Sequence, residues 1–385
     1  MTEALEQLLA RHVDRGTVPG AVAAVVPAGG DLRPVAAGSS SLDGPSLEPD
    51  AIFRIQSMTK AVTSVAALRL VERGLIGLDD PVDPWLPELA DRVVLSYPDA
   101  PLDDTHPSPR PITMRHLLTN TSGYGMMTSD SPLAREMVAT GVEAGPVPSG
   151  LDAGEWLSRT AALPLAFAPG EGWRYHHSFS ILGVLISRVT GRTTPEHLRD
   201  DMFAPLGMVD TGFWVPHEAA HRLPATSRRD EGRLVEGEPA GGGFYAGPPA
   251  HDVSHEELVS TLADYVRFLH ALTGGAMIDG EPMLAPASVA AMTSDQVADD
   301  LKLPDSFFPG FWEQMGWGFG VGVHTGGEHV GRFGWSGGLG TDFFVDPDGT
   351  ISVLMTQVDL DDRVMELFHD VQQVTTNGPS DPLGP

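Results

Sequence analysis

Phe53-Arg54-Ile55-Gln56-Ser57-Met58-Thr59-Lys60 runs straight into Ala61-Val62-Thr63-Ser64-Val65-Ala66-Ala67-Leu68-Arg69-Leu70-Val71-Glu72-Arg73-Gly74, and this stretch decides how the chain is read. Val62, Val65, Ala66, Leu68, Leu70 and Val71 cover much of the surface of a helix expected from about Ser57 to Arg73, which Gly74 ends. So wide an apolar face places that helix at the centre of the molecule. Ser57 and Lys60 stand three residues apart, so their side chains share one face and an amine can reach a hydroxyl. The positive helix end beneath a serine in the first turn favours a developing alkoxide. Lysine acts as a base only where burial or neighbouring positive charge disfavours its ammonium form, and the apolar helix supplies burial. Lys60 and Lys302 are the only lysines in the sequence. Taken alone, Ser-x-x-Lys is equally the pattern of a capping serine followed by a surface lysine. The surrounding sequence has to decide between the two.

Outward from this helix the composition is that of an ordinary folded protein. Of 385 residues 41% are apolar and 20% charged, close to the globular norm. A formal charge of -28 repels phosphate backbones and anionic lipid surfaces, which argues against nucleic acid as a partner. The absence of cysteine excludes disulfides, thiolate metal sites and cysteine nucleophiles. Met1-Thr2-Glu3-Ala4-Leu5-Glu6 has acids where a signal peptide needs positive charge, so a cytoplasmic location is expected. No apolar run approaches the roughly 20 residues of a membrane span; Gly20 to Val26 stops at Pro27.

Residues 3 to 15 put Leu5, Leu8, Leu9 and Val13 on one helical stripe, and Gly20 to Val26 reads as a buried strand, together a helix packed on a sheet edge. From Pro81 to about Pro111 proline, aspartate and isolated apolar residues indicate loops. Helical patterns follow at Met114 to Leu118, Gly154 to Ala161, Ser180 to Thr190 and Pro195 to Met202, and another from about Glu256 to Leu272. Strands are expected at Trp317 to His324 and Gly331 to Trp335. Thr341 to Val345 and Ile351 to Thr356 form a hairpin around Asp346-Pro347-Asp348-Gly349, and a last helix covers about Arg363 to Gln373.

The motifs around the serine have a family likeness. Phe53 to Lys60, then Leu70-Val71-Glu72-Arg73-Gly74 and Leu78-Asp79-Asp80-Pro81-Val82, resemble the β-lactamase-related serine hydrolases, a superfamily that includes class C β-lactamases, D-peptidases and family VIII carboxylesterases. Ile112 to Gly123, Pro169 to Tyr175, Leu258 to Thr261 with Asp264-Tyr265, and Gly337 to Gln357 agree in the same order, so the resemblance spans almost the whole chain. It implies that Tyr175, in the esterase-like Trp173-Arg174-Tyr175, points at the serine and passes a proton. It implies further that the backbone N–H groups of Ser57 and Gly338 form an oxyanion hole. Trp335-Ser336-Gly337 resembles the Trp-x-Gly form of family VIII esterases rather than the Lys-Thr-Gly form of β-lactamases. Trp335, Ser336 and Gly337, with His177 and His255, are expected to line the substrate pocket.

The sequence departs from the family pattern in two places. His176 and His177 replace the small residue and the asparagine or leucine that usually follow the tyrosine; one solvated and one packed ring is the simpler expectation, and a paired metal site is disfavoured. His251-Asp252-Val253-Ser254-His255-Glu256-Glu257 stands where relatives usually carry glycines, and is expected to project, with Ser254 capping a helix and Glu257 three residues on. Its spacing fits no established metal motif. Gly334-Trp335-Ser336-Gly337-Gly338 also satisfies the Gly-x-Ser-x-Gly pattern, which would make Ser336 a nucleophile, but that elbow must lead into a helix and here leads into strand. Ser129-Asp130-Ser131 could imitate a Ser-Asp-Asn element, though a loop turn is the better reading.

These readings converge on an α/β (α+β) fold of the β-lactamase/transpeptidase type, a mainly antiparallel sheet flanked by helices with an inserted helical lobe. Residues 1–385 form one catalytic unit, with 1–80 and 256–377 as the α/β lobe and 81–255 as the mostly helical lobe. The expected chemistry is hydrolysis of a small-molecule ester through an acyl-serine, with β-lactam or D-peptide cleavage, or acyl transfer, as alternatives. No cofactor, metal, nucleic acid or membrane is expected to take part, and the sequence carries no mark of oligomeric state.

Overall fold

The computed structural model describes residues 1–145, 148–251, 253, 257–278 and 280–376. Both ends of the chain build one seven-stranded sheet. Its order is Met315–Trp317, Gly322–His324, Phe333–Gly337, Thr341–Val345, Ile351–Met355, Gly20–Val26 and Val35–Gly38. Every neighbouring pair is antiparallel.

The strand Gly20–Val26 has seven buried residues in a row because both of its faces are covered. Ala21, Ala23 and Val25 pack with Leu5, Leu8, Leu9, Val364, Leu367 and Phe368, from the terminal helices Thr2–Asp14 and Asp362–Thr376. Val22, Ala24 and Val26 join the other core with Val62, Val65 and Ala66. The expectation of a helix on a sheet edge is thereby corrected. The strand is interior, between Ile351–Met355 and Val35–Gly38, as a continuous apolar run requires.

The hairpin closes through Gly349, whose φ of 85° lets its N–H donate to the Asp346 carbonyl at 2.9 Å, and Val345 faces Ile351. The expected strand Trp317 to His324 is instead two strands. Gly320, at φ 76°, turns the chain back, and the Gly318 N–H donates to the Val321 carbonyl at 2.8 Å. The helix expected from Glu256 starts only at Leu262, since Val259–Thr261 pairs with Ile52–Arg54 as a strand. The Thr261 side chain caps the helix by accepting from the Asp264 N–H. Ser254, His255 and Glu256 lie outside the described residues.

Thr59–Glu72 is buried on nearly every side, with Thr59 to Leu68 and Leu70 all shielded. It runs between the sheet and the helical part of the chain, where His177–Thr190, Ala153–Ala161 and Met114–Leu118 contribute to the same core. Between 81 and 111 the only strands among the described residues are Val93–Leu95 and Thr105–Pro107, three residues each. One part of the middle of the chain returns to the sheet side. The hairpin Ser227–Asp230 and Arg233–Glu236 docks through the Ser227 N–H on the Gln357 carbonyl at 2.7 Å and through Arg229 on Asp361 at 2.6 Å. Among the described residues no helix is long and apolar enough to cross a membrane.

Candidate active site

The chain enters the site from the strand Ile52–Arg54. Arg54 is fully buried and held by Glu238 at 2.9 Å, the Pro224 carbonyl at 2.8 Å and Gln357 at 3.1 Å. Gln56, buried, adopts a left-handed φ of 49°, a conformation that costs a residue with a side chain on the order of 1 kcal/mol or more. That bend makes the turn from strand to helix. Ser57 therefore sits in a 3-10 turn, Gln56–Met58, one step before the α-helix proper at Thr59. Lys60 is fully buried. Its Nζ lies 3.0 Å from Ser57 Oγ, within proton-transfer reach, and 4.7 Å from the centre of the Tyr175 ring, where the ring face attracts a cation.

Tyr175 ends a segment without regular structure, pinned by the Met126 N–H, which donates to the Tyr175 carbonyl at 2.8 Å. The helix His177–Thr190 starts two residues later. The Trp335 indole N–H donates to the Tyr175 hydroxyl oxygen at 2.6 Å. That bond lowers the cost of negative charge on the phenol oxygen. It joins residues 160 apart in the chain, and no local spacing announces it. The strand Phe333–Gly337 is held against the serine turn. The Thr341 hydroxyl donates to the Ile55 carbonyl at 3.0 Å, and a Cβ on Gly337 would stand 2.4 Å from that same oxygen. Only glycine permits this approach. Gly338 follows, and its carbonyl accepts from the Leu360 N–H at 3.1 Å.

Ser57, Tyr175, Trp335, Ser336 and Gly338 line one cavity of about 510 Å³ together with Phe307, Phe311 and His176, and Phe308, Leu360 and Met365 line it where it opens to solvent. The volume suits a small organic molecule. Of the two adjacent histidines it is His176, not His177, that reaches the cavity. His176 holds φ 96° and ψ -78°, which rotates its side chain away from the helix it precedes. His177 is the first helical residue and points inward, with Nε2 on the Val142 carbonyl at 2.7 Å and its ring stacked on Trp156.

Ser336 is turned away from Lys60. Its hydroxyl donates to Asp342 Oδ1 at 2.7 Å, directly across the strand pair. Burial pushes the Asp342 carboxyl up to about 6, against the hydrogen bonds from Ser336 and Gln372 that favour its ionised form. Ser131 caps the helix Pro132–Thr140 and Asp130 pairs with Arg135 at 2.7 Å, so Ser129-Asp130-Ser131 is a helix entrance. The described part of the 251–257 segment folds inward instead of projecting: His251, Val253 and Glu257 are buried. His251 and Glu257 stand 3.7 Å apart, and the His251 ring packs on Trp156 at 5.5 Å. Among the described residues no group of three or more His, Cys, Asp or Glu could hold a metal ion.

The chain as a whole is matched by known proteins. The beta-lactamase family profile covers residues 5–368. The chain belongs to the beta-lactamase family. The chain is 35% identical to protein Rv1367c of Mycobacterium tuberculosis, over 89% of this chain and 86% of that one. It is 31% identical to esterase EstB of Burkholderia gladioli, over 87% and 85%. A mutant simvastatin synthase (LovD) from Aspergillus terreus superposes with a TM-score of 0.79 at 25% identity, covering 97% of each chain. The beta-lactamase fold thus accounts for the sheet built from both chain ends and for the helices packed on it.

Proposed function

We propose that the protein hydrolyses carboxylic esters through an acyl-Ser57 intermediate. The observation that carries this reading is the contact of Lys60 Nζ with Ser57 Oγ at 3.0 Å, beside a tyrosine whose oxygen accepts the Trp335 N–H. Ser57 Oγ attacks the ester carbonyl and Lys60 takes its proton. The backbone N–H groups of Ser57 and Gly338 receive the developing oxyanion. As the C–O bond breaks, Tyr175 gives its proton to the leaving alkoxide, and the Trp335 indole steadies the phenolate left behind. Water then attacks the acyl carbon and loses a proton to Tyr175, while Lys60 returns its proton to Ser57. The kinship with EstB, named an esterase, supports ester cleavage. Likeness to a simvastatin synthase keeps acyl transfer to an alcohol as the second reading, in which the alcohol replaces water in the last step.

Esters are favoured over β-lactams because Lys-Thr-Gly enzymes place a cation beside the carboxylate of penicillins and D-peptides. Here Trp335-Ser336-Gly337 occupies that position, and among the described residues lining the cavity none is Lys or Arg. A charge-assisted contact contributes roughly 1.5–3 kcal/mol, so anionic substrates lose about one to two powers of ten. The test is kcat/KM for an unactivated short-chain ester, a D-alanyl amide and a chromogenic cephalosporin at one pH and salt. Comparable efficiency on the cephalosporin, or preference for the D-peptide, would move the protein to amide chemistry.

A further inference from the structure

The cavity mouth is overhung by a short aromatic strap, residues 306–312, reading Ser306-Phe307-Phe308-Pro309-Gly310-Phe311-Trp312. This segment is firmly built. Its root is Lys302, held between Asp295 and Asp299 at 2.6 Å each. The Trp312 indole donates to Ser306 Oγ at 2.8 Å and closes the strap on itself, and the Phe311 N–H donates to the Phe308 carbonyl at 3.1 Å. Trp173 packs beneath, 4.9 Å from the Trp312 ring and 5.6 Å from the Phe307 ring.

The strap has a definite side. Phe307 lies 4.9 Å from the Tyr175 ring and 6.1 Å from the Trp335 ring, covering the pair that shares the indole–phenol hydrogen bond. The Phe308 ring packs at a tilt against Phe307, 4.2 Å between centres, yet remains 61% exposed while lining the cavity. An aromatic ring held open to water at a cavity mouth, on a segment fixed at both ends, is apolar surface awaiting a partner. Elsewhere the lining includes Leu360, whose N–H donates to the Gly338 carbonyl, and Met365, an aliphatic surface.

We propose that strap 306–312 is the binding site for the alcohol half of the ester, and that this half bears a bulky apolar group, best of all a flat ring system. The inference rests on the assignment above of Tyr175 as the acid toward the leaving oxygen. Whatever is attached to that oxygen departs past Tyr175, and the surface it meets there is Phe307 and then Phe308. An aryl group on the acyl half would instead meet the Leu360 and Met365 side.

Two substrate ratios test this in the full chain, each made of esters of unactivated alkyl alcohols so that leaving-group acidity stays nearly constant. The alcohol ratio is kcat/KM for naphthylethyl acetate over ethyl acetate; the acyl ratio is ethyl naphthylacetate over ethyl acetate. The alcohol ratio is expected to exceed about ten, and Phe308→Ala, at an exposed position, to lower it by about three- to tenfold, the size of one lost aromatic pair. Phe307→Leu should lower it in the same sense. The acyl ratio should move by less than about twofold. An alcohol ratio near one, a fall confined to the acyl ratio, or equal falls in both would overturn the proposal. Ester turnover that survives Ser57→Ala would overturn the assignment of the nucleophile, and this inference with it, a result distinct from any change in the ratios.

Discussion

Ser57 and Ser336 stand at the edge of one cavity and each sits in a sequence that reads as a nucleophile motif, but their surroundings are opposite. Ser57 projects from a 3-10 turn at a helix entrance, with the buried Lys60 amine 3.0 Å from its oxygen. Ser336 lies in the middle of a strand pair, and its hydroxyl is spent on the Asp342 carboxyl opposite it. In a strand, successive side chains alternate faces. Once Trp335 and Gly337 face Tyr175 and the serine turn, Ser336 must face away from them. The spacing of a motif fixes which atoms are near in sequence, and the element that carries it fixes where they point.

The sharpest way to break this comparison is to remove each hydroxyl. Ser57→Ala is expected to cut ester turnover by at least about a thousandfold, and Ser336→Ala by no more than a few-fold. A fluorophosphonate should label the peptide containing Ser57, and an adduct on the peptide containing Ser336 would reverse the assignment. Next in size are the partners of Ser57. Lys60→Ala and Tyr175→Phe should each lower kcat by on the order of a hundredfold with circular dichroism unchanged. Trp335→Phe, which keeps a ring but loses the N–H on Tyr175, should cost about tenfold, as expected for one hydrogen bond to a group that becomes charged. Full activity in Trp335→Phe would remove the indole from the mechanism.

A different kind of effect lies behind Ser336 and concerns stability. Burial raises the Asp342 carboxyl from its ordinary 3.8 to about 6, so the folded chain holds that proton more tightly than the unfolded chain. Stability from this group is therefore fully present below about pH 4, declines as pH rises to about 6 and is flat above. Asp342→Asn can still accept from Ser336 but has no charge to bury. Its stability relative to the parent should rise between pH 4 and 7 by up to about 3 kcal/mol, read from denaturant unfolding. A difference independent of pH would show that Asp342 is not the titrating group.

The serine and lysine were legible because helical periodicity alone places residues three apart on one face, and the apolar run after them marked a buried helix. The antiparallel sheet was legible from the Asp-Pro-Asp-Gly turn and the two strands beside it. What could not be read depends on backbone torsions or distant partners. The bond from Trp335 to Tyr175 spans 160 residues. His176 reaches the cavity in place of His177 because of a φ of 96°, a conformation that a histidine does not advertise. Val259–Thr261 reads as the first turn of a helix until Ile52–Arg54 is there to pair with it, a tertiary contact that overrides local propensity.

The scarcity of lysine has a practical side. Lys60 is sealed behind Ser57, so apart from the α-amino group the only other amine is Lys302, 12% exposed and held by two carboxylates at the root of the aromatic strap. Attaching the enzyme to an amine-reactive resin would fasten it beside its own entrance and cost the two anchoring ion pairs. Carboxyl-directed coupling has 52 acidic side chains to choose from, and is the immobilisation route that would leave the mouth open.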